Sequence, residues 1–211
     1  MTLFSALTAA RQRIDRLDAR LLLQYATGCT HAELLARPET PLNAHAYEQF
    51  ATWVERRAAG EPLAYIVGEA EFRGRVFQVS PAVLIPRPET EVLIDLALER
   101  LSGLAAPRIL DLGTGSGIVA ISLALEYPSA TVVAVDLEKE AISVARNNAG
   151  RLGANIDFRQ GDWFSPVAGE HFDLIVSNPP YVANGDPHLA LDGLPFEPQL
   201  ALTDGADGLA C

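Results

Sequence analysis

The sequence predicts an α/β domain built on a parallel sheet, preceded by a small all-helical domain. Three observations predict it. From residue 108 onward, short apolar β-branched runs alternate with helical patterns, as in a parallel sheet covered on both faces. Residues 1–67 instead place apolar side chains at spacings of three and four, with no strand pattern. Between the two, Phe72, Val76, Phe77 and Val79 surround Gly74, which reads as a β-hairpin.

Taken in order, Leu3, Leu7, Ala10, Ile14, Leu17 and Leu21 give one apolar helix face. Leu22 and Leu23 continue that helix to Thr27-Gly28, because glycine is favoured just past a helix end. Thr30 caps a short helix through Leu35, which Pro38 stops. Tyr47, Phe50, Ala51, Val54 and Ala58 form a further stripe ended by Gly60. After the hairpin, Pro86 and Pro88 enforce an extended segment, and Thr90 or Glu89 opens a helix over 91–101. The connection between domains is expected here. Strands then fall at 108–112, 131–135, 156–159 and 172–176, with helices over 118–126 and 138–151. The expected boundaries are thus a helical domain over 1–67, a hairpin and connecting segment over 68–88, and an α/β domain over 89–211.

Composition narrows the function. The 211 residues carry a formal net charge of -11 and a pI of about 4.7, which leans against a phosphate backbone as the main partner. Arg11, Arg13, Arg16 and Arg20 recur at helical spacing and read as a solvated helix face. The two cysteines, Cys29 and Cys211, fit neither a metal spacing nor a disulfide framework. No leader-like or membrane-spanning apolar run is visible, so a soluble cytoplasmic protein is expected, with no metal.

The first strand of the α/β domain runs into Asp111-Leu112-Gly113-Thr114-Gly115-Ser116-Gly117, and a helix follows at once. Glycines allow a sharp turn and close approach of a ligand, and a helix N-terminus offers free N–H groups. Dinucleotide enzymes space these glycines as G-x-G-x-x-G, whereas here they fall at 113, 115 and 117. That spacing suits a ligand without a pyrophosphate, and S-adenosylmethionine fits. Asp136 ends the second strand about 20 residues beyond the loop, where a carboxylate accepts ribose hydroxyls or caps the next helix. Asp162 and Trp163 follow the third strand, with the indole available for an adenine face and the carboxylate for its amino group. Asp111 is expected to order the loop.

The fourth strand ends in Ser177-Asn178-Pro179-Pro180-Tyr181. Ligands of open parallel sheets bind at the carboxyl ends of strands, so this segment is expected to face the glycine loop. Two prolines remove two N–H donors and leave acceptors: the Asn178 side-chain oxygen and the Pro179 carbonyl. A planar NH2 group is a poor nucleophile, and two fixed acceptors orient it and favour its rehybridisation. Tyr181 offers a flat face to such a group. An amide side chain and an exocyclic amine of adenine or guanine both satisfy this pattern.

With these motifs the sequence resembles the peptide chain release factor glutamine methyltransferases of HemK type, over essentially its whole length. Asp111–Gly117 and Asn178–Tyr181 resemble motifs shared by amino-methyltransferases generally. More specific are Glu71-Phe72 in the hairpin, Leu84–Glu91 (LIPRPETE), Asp162-Trp163-Phe164 and Phe196-Glu197-Pro198. Asp18–Leu23 (DARLLL) and Gly60-Glu61-Pro62 extend the resemblance into the helical domain. It implies a Rossmann-like class I methyltransferase domain that methylates the glutamine of a Gly-Gly-Gln loop in class 1 release factors, with the helical domain helping to dock that protein. Gly113, Thr114, Gly115, Ser116, Gly117, Asp136, Trp163 and Asn178 would hold S-adenosyl-L-methionine. Asn178, Pro179, Pro180 and Tyr181 would hold the glutamine, with Asn178, Pro179 and Tyr181 carrying the catalysis. The competing readings are a nucleic-acid amino-methyltransferase and a non-catalytic binding module. The family's sheet has seven strands and only four are readable here, so the strand over 172–176 is expected to form an exposed edge, as in a truncated form of a longer active enzyme.

Overall fold

A computed structural model describes residues 1–191 and 193–209. The chain divides after Val67 into two compact units. Cys29 is a free thiol, and Cys211 lies outside the described residues.

The first unit is helical: α1 (Leu3–Ala10), α2 (Arg16–Thr27), α3 (His31–Ala36), α4 (Ala44–Ala58) and α5 (Leu63–Val67). The single helix expected from Leu3 to Thr27 is two. Asp15 interrupts it by accepting the Leu17 N–H in its side chain, which satisfies a first-turn donor and starts α2 afresh. The break also shifts the buried face: Ala19, Leu22 and Leu23 are buried, while Leu17 is exposed. Arg11 and Arg13 consequently lie in the turn, and only Arg16 and Arg20 are on α2. Thr30 and Glu33 form a reciprocal cap on α3, and Gly28 ends α2 in the left-handed conformation. Arg57 donates to Asp18 at 2.6 Å and Arg56 Nε to Glu61 at 2.7 Å, so both polar motifs of this region tie onto α4.

The second unit opens with a hairpin, β1 (Glu69–Phe72) and β2 (Arg75–Gln78), closed by Arg73 and Gly74, both at positive φ as a two-residue turn requires. Phe72 and Phe77 pack edge to face in the main core of this unit. Residues 68–88 therefore belong to the second unit, and the interval 84–91 lies within it rather than between units. The physical reason is burial, since the hairpin's aromatic face has its partners among α6 (Glu89–Leu101), α7 (Ile118–Glu126) and α8 (Lys139–Leu152).

The remaining strands, β3 (Arg108–Leu112), β4 (Thr131–Asp136), β5 (Ile156–Gln160) and β6 (Leu174–Ser177), make a parallel sheet in the order β5-β4-β3-β6. Side chains alternate across it. Ile109, Val132, Ala134 and Val176 face α6, α7 and α8, while Leu110, Leu112, Val133 and Val135 pack with Val167, Trp163 and Phe172 on the opposite face. Both faces are covered, and the long helices of the main core share one of them. Along the chain the sheet grows from β3 to β5 and then returns to the other side of β3. That reversal leaves a crevice at the carboxyl ends of β3 and β6. β6 has a strand on one side only among the described residues, and its Ile175 is half exposed. After β6 the chain returns through α9 (Gln199–Leu202).

Candidate active site

Leu112 pairs with Ser177 at the ends of β3 and β6, so Gly113 and Asn178 leave adjacent strand ends together. The Ser177 hydroxyl donates to the Leu112 carbonyl at 2.9 Å and fastens the two exits. The crevice above them has a volume of about 380 Å³, within the range of small-molecule sites.

The glycine loop builds one wall. Gly113, Gly115 and Gly117 all have positive φ, between 55° and 83°. A Cβ at Gly113 or Gly115 would meet no atom, and both residues line the cavity, so these two positions keep ligand space open. Gly117 differs: it caps α7, and its Cβ would press on Ile121 and Ala145. It provides close packing of α7 on α8 and is not among the lining residues. Gly117 also offers no side chain to cap α7. Asp111 does so from β3, accepting the Ala120 N–H at 3.2 Å and the Thr114 hydroxyl at 2.7 Å.

Asp136 ends β4 and accepts the Gly115 N–H at 2.8 Å through one oxygen and the Glu138 N–H at 3.0 Å through the other. A carboxylate offers about four lone-pair positions, so each oxygen retains capacity for a further donor. Asp162 and Trp163 line the same space. Trp163 sits at φ 43°, a costly conformation for a bulky residue, which aims a half-buried indole along the cavity edge of the smaller core. Asn178, Pro179 and Pro180 complete this part of the lining. Among the described residues, nothing in the chain hydrogen-bonds the Asn178 carboxamide, although it is only partly exposed.

The charge balance of the lining is lopsided. Among the described residues, Asp111, Asp136, Glu138, Asp162 and Asp204 line the cavity against Arg87 alone. Such a lining attracts a cation and disfavours a pyrophosphate. Within it the Asp111 carboxyl is pushed up to about 6, chiefly by complete burial and also by the neighbouring Asp136 charge, while its bonds from Thr114 and Ala120 pull the other way. The folded protein therefore binds more protons than the unfolded chain between about pH 4 and 6. Stability from this group is greatest below that window, falls as pH rises through it, and is flat above it. Asp111→Asn retains an acceptor for both donors and removes the buried charge. It is expected to stabilise the protein by on the order of 1–3 kcal/mol at pH 7.5, with the gain shrinking toward zero near pH 4. Urea unfolding at the two pH values checks this; an equal difference at both would refute it.

The chain is similar in sequence to known proteins. Residues 2–68 match the family model described as the PrmC N-terminal domain, and residues 90–192 match the methyltransferase small domain. The release factor glutamine methyltransferase of Bordetella pertussis is 51% identical over 201 residues, covering 93% of this chain and 73% of that protein. That of Xylella fastidiosa strain 9a5c is 49% identical over 204 residues, covering 96% and 74%. That of Vibrio cholerae is 44% identical over 219 residues, covering 100% and 76%. The chain belongs to the release factor glutamine methyltransferase family.

In this family member the cavity gathers Gly113, Thr114, Gly115, Ser116, Asp136, Trp163, Asn178, Pro179 and Pro180. Tyr181 is 68% exposed and is not among the lining residues. Sequence reasoning missed the wall formed by Ala82–Arg87 with Thr90, and the returning segment Pro198, Leu200, Ala201, Thr203 and Asp204. It also missed Asn148, a fully buried amide on α8 that donates to the Ser116 and Gln78 carbonyls and accepts the Gln78 N–H. Asn148 thereby ties the hairpin to the glycine loop. Its signal was a polar residue on the apolar face of a helical pattern, which is informative only when its partners are known.

Proposed function

We propose that this protein transfers a methyl group from S-adenosyl-L-methionine to the side-chain amide nitrogen of the glutamine in the Gly-Gly-Gln loop of class 1 peptide chain release factors. The carrying observation is the Asn178 carboxamide without a partner among the described residues, beside the Pro179 backbone, at the strand end that abuts the glycine loop. Family membership supports the substrate class, and the related proteins are named for it.

The residues present fit the methyl donor. Open space beside Gly113 and Gly115 suits its amino-acid end, the spare acceptor capacity of Asp136 suits ribose hydroxyls, and the acidic lining suits a sulfonium. When bound, it supplies an electrophilic methyl group. The chain's task is then to present the nucleophile. The Asn178 side-chain oxygen and the Pro179 carbonyl accept the two amide N–H bonds, hold the NH2 plane and favour its pyramidalisation. As positive charge develops on nitrogen, these acceptors interact with it more strongly than in the ground state. The new C–N bond forms as the sulfur–methyl bond of the donor breaks, which leaves a neutral thioether, and the alkylated nitrogen then loses its proton to water, so no strong base is required. Pro179 and Pro180 lack N–H groups and present no competing donors to the substrate amide. The helical unit, in this reading, helps dock the release factor, and the reaction takes place in the cytoplasm.

The test is mass spectrometry of an unmethylated release factor incubated with this chain and S-adenosyl-L-methionine. One added methyl, mapped to the Gly-Gly-Gln glutamine, is the expected result. Methyl transfer to nucleic acid and none to the release factor would overturn the reading.

A further inference from the structure

The fold spends a buried carboxylate on two loops. Glu197 is 4% exposed. One oxygen pairs with the Arg87 guanidinium and the other accepts the Ile85 N–H at 3.1 Å. Removing a carboxylate from water costs several kcal/mol unless it is fully paired, and a buried ion pair is weak evidence of net stabilisation. What it does is join distant segments. Ile85 precedes Pro86 and is held extended, which leaves its N–H outside any sheet and in need of an acceptor.

Both joined segments are walls of the cavity. Ile85, Pro86 and Arg87 line it, and so does the returning segment that begins at Pro198. That segment in turn grips the chain just after the acceptor motif. The Val182 N–H donates to the Leu202 carbonyl at 3.0 Å and the Asn184 N–H to the Ala206 carbonyl at 2.8 Å. Val182 and Thr203 form a parallel bridge. Gly208, at φ 86°, passes so close to the Tyr181 carbonyl that a Cβ would lie 2.4 Å from it. Contacts thus run from Ile85 and Arg87, through Glu197, along 198–208, and back to 181–184, around Asn178–Pro180.

We propose that Glu197 is a positioning residue for methyl transfer. Its carboxylate clamps the returning segment to the 85–87 wall and so fixes Asn178 and Pro179 against the incoming amide. The inference rests on the functional reading above and adds to it the group that sets the acceptor geometry. The glycine loop and Asp136 lie on other elements, so the clamp acts on transfer more than on cofactor binding.

Glu197→Gln conserves volume and an acceptor for Ile85, and Arg87→Lys conserves charge without the planar fork, so both variants are expected to fold. Each is expected to lower kcat/KM for methyl transfer about 10–100-fold, the size of a displacement near 1 Å, with the loss in kcat at least as large as the rise in KM. The dissociation constant for S-adenosyl-L-methionine should stay within about threefold of wild type, and the double variant should be no worse than the poorer single. Hydrogen exchange in the same proteins should speed up at Val182 and Asn184 and stay unchanged in β3 and β4. Unchanged exchange at 182–184, additive losses in the double variant, or a parallel loss of cofactor affinity would each overturn the clamp. Absence of transfer by wild type would instead overturn the functional reading, and the exchange measurement would still decide the clamp.

Discussion

Asn178→Ala should abolish most methyl transfer while leaving the protein folded. The expected loss in kcat/KM is about 10³-fold, or roughly 4 kcal/mol, comparable with removing one preorganised hydrogen-bonding group from an active site. Three observations set that magnitude. Asn178 faces the cavity at the end of a strand whose register on β3 is fixed by paired backbone and by the Ser177 hydroxyl. Its carboxamide has no partner in the chain among the described residues, so its hydrogen-bonding capacity is reserved. The neighbouring prolines stiffen the backbone, so no alternative group swings into its place. For the same reasons stability should change by less than about 1 kcal/mol, since no internal bond is lost. Cofactor affinity should fall less than about tenfold, because Asp136 and the glycine loop remain. Single-turnover transfer, cofactor titration and thermal unfolding of the one variant separate these effects. Transfer within tenfold of wild type would remove Asn178 from the chemistry; collapse of all three would make it structural.

The sequence was most informative where local chemistry and long-range structure agree. β3 and α7 could be bounded from an apolar run, a glycine turn and a following proline, because each of these acts through neighbouring residues. The glycine loop and Asn178 were legible for the same reason, as their residue types are fixed by backbone geometry at strand ends. Helix α1 was misjudged because the apolar spacing of Leu3 to Leu21 runs unbroken through a turn that only the Asp15 cap reveals. The sequence offers the flat face of Tyr181 to a planar substrate group, and the exposure of that ring, 68%, has no local signal after two prolines. Least legible were Glu197 and Asn148. Each is a buried polar side chain whose partners lie between 32 and 112 residues away, and no local pattern encodes such a pairing. Both sit beside the cavity, so the unread part of the sequence is largely the part that positions the site.

Gly117→Ala should be the most destabilising small change in the glycine loop. Two penalties combine at this position. At φ 83° the backbone is left-handed, which costs an L-residue about 1–2 kcal/mol. The new methyl would also lie 2.9 Å from the Ile121 Cδ1, 3.1 Å from the Ala145 Cβ and 3.3 Å from the Ala145 Cα. The isoleucine terminus can rotate away, but Ala145 is backbone and stub on a packed helix, so α8 itself must shift. Overpacking of that kind costs about 1–3 kcal/mol. The sum, roughly 2–5 kcal/mol, corresponds to a fall of about 5–15 °C in Tm for a domain of this size. Gly115→Ala supplies the contrast. It bears the conformational penalty at φ 55° but meets no atom within 4 Å, so its stability loss should be about half as large. Its methyl instead enters the cavity wall and should weaken S-adenosyl-L-methionine binding more than tenfold, the price of about 1.4 kcal/mol of lost contact. Differential scanning calorimetry with cofactor titration of both variants tests the division of labour. Equal Tm losses together with equal affinity losses would show that the two glycines serve one purpose, and that the packing of α7 on α8 and the shape of the ligand wall are not separable.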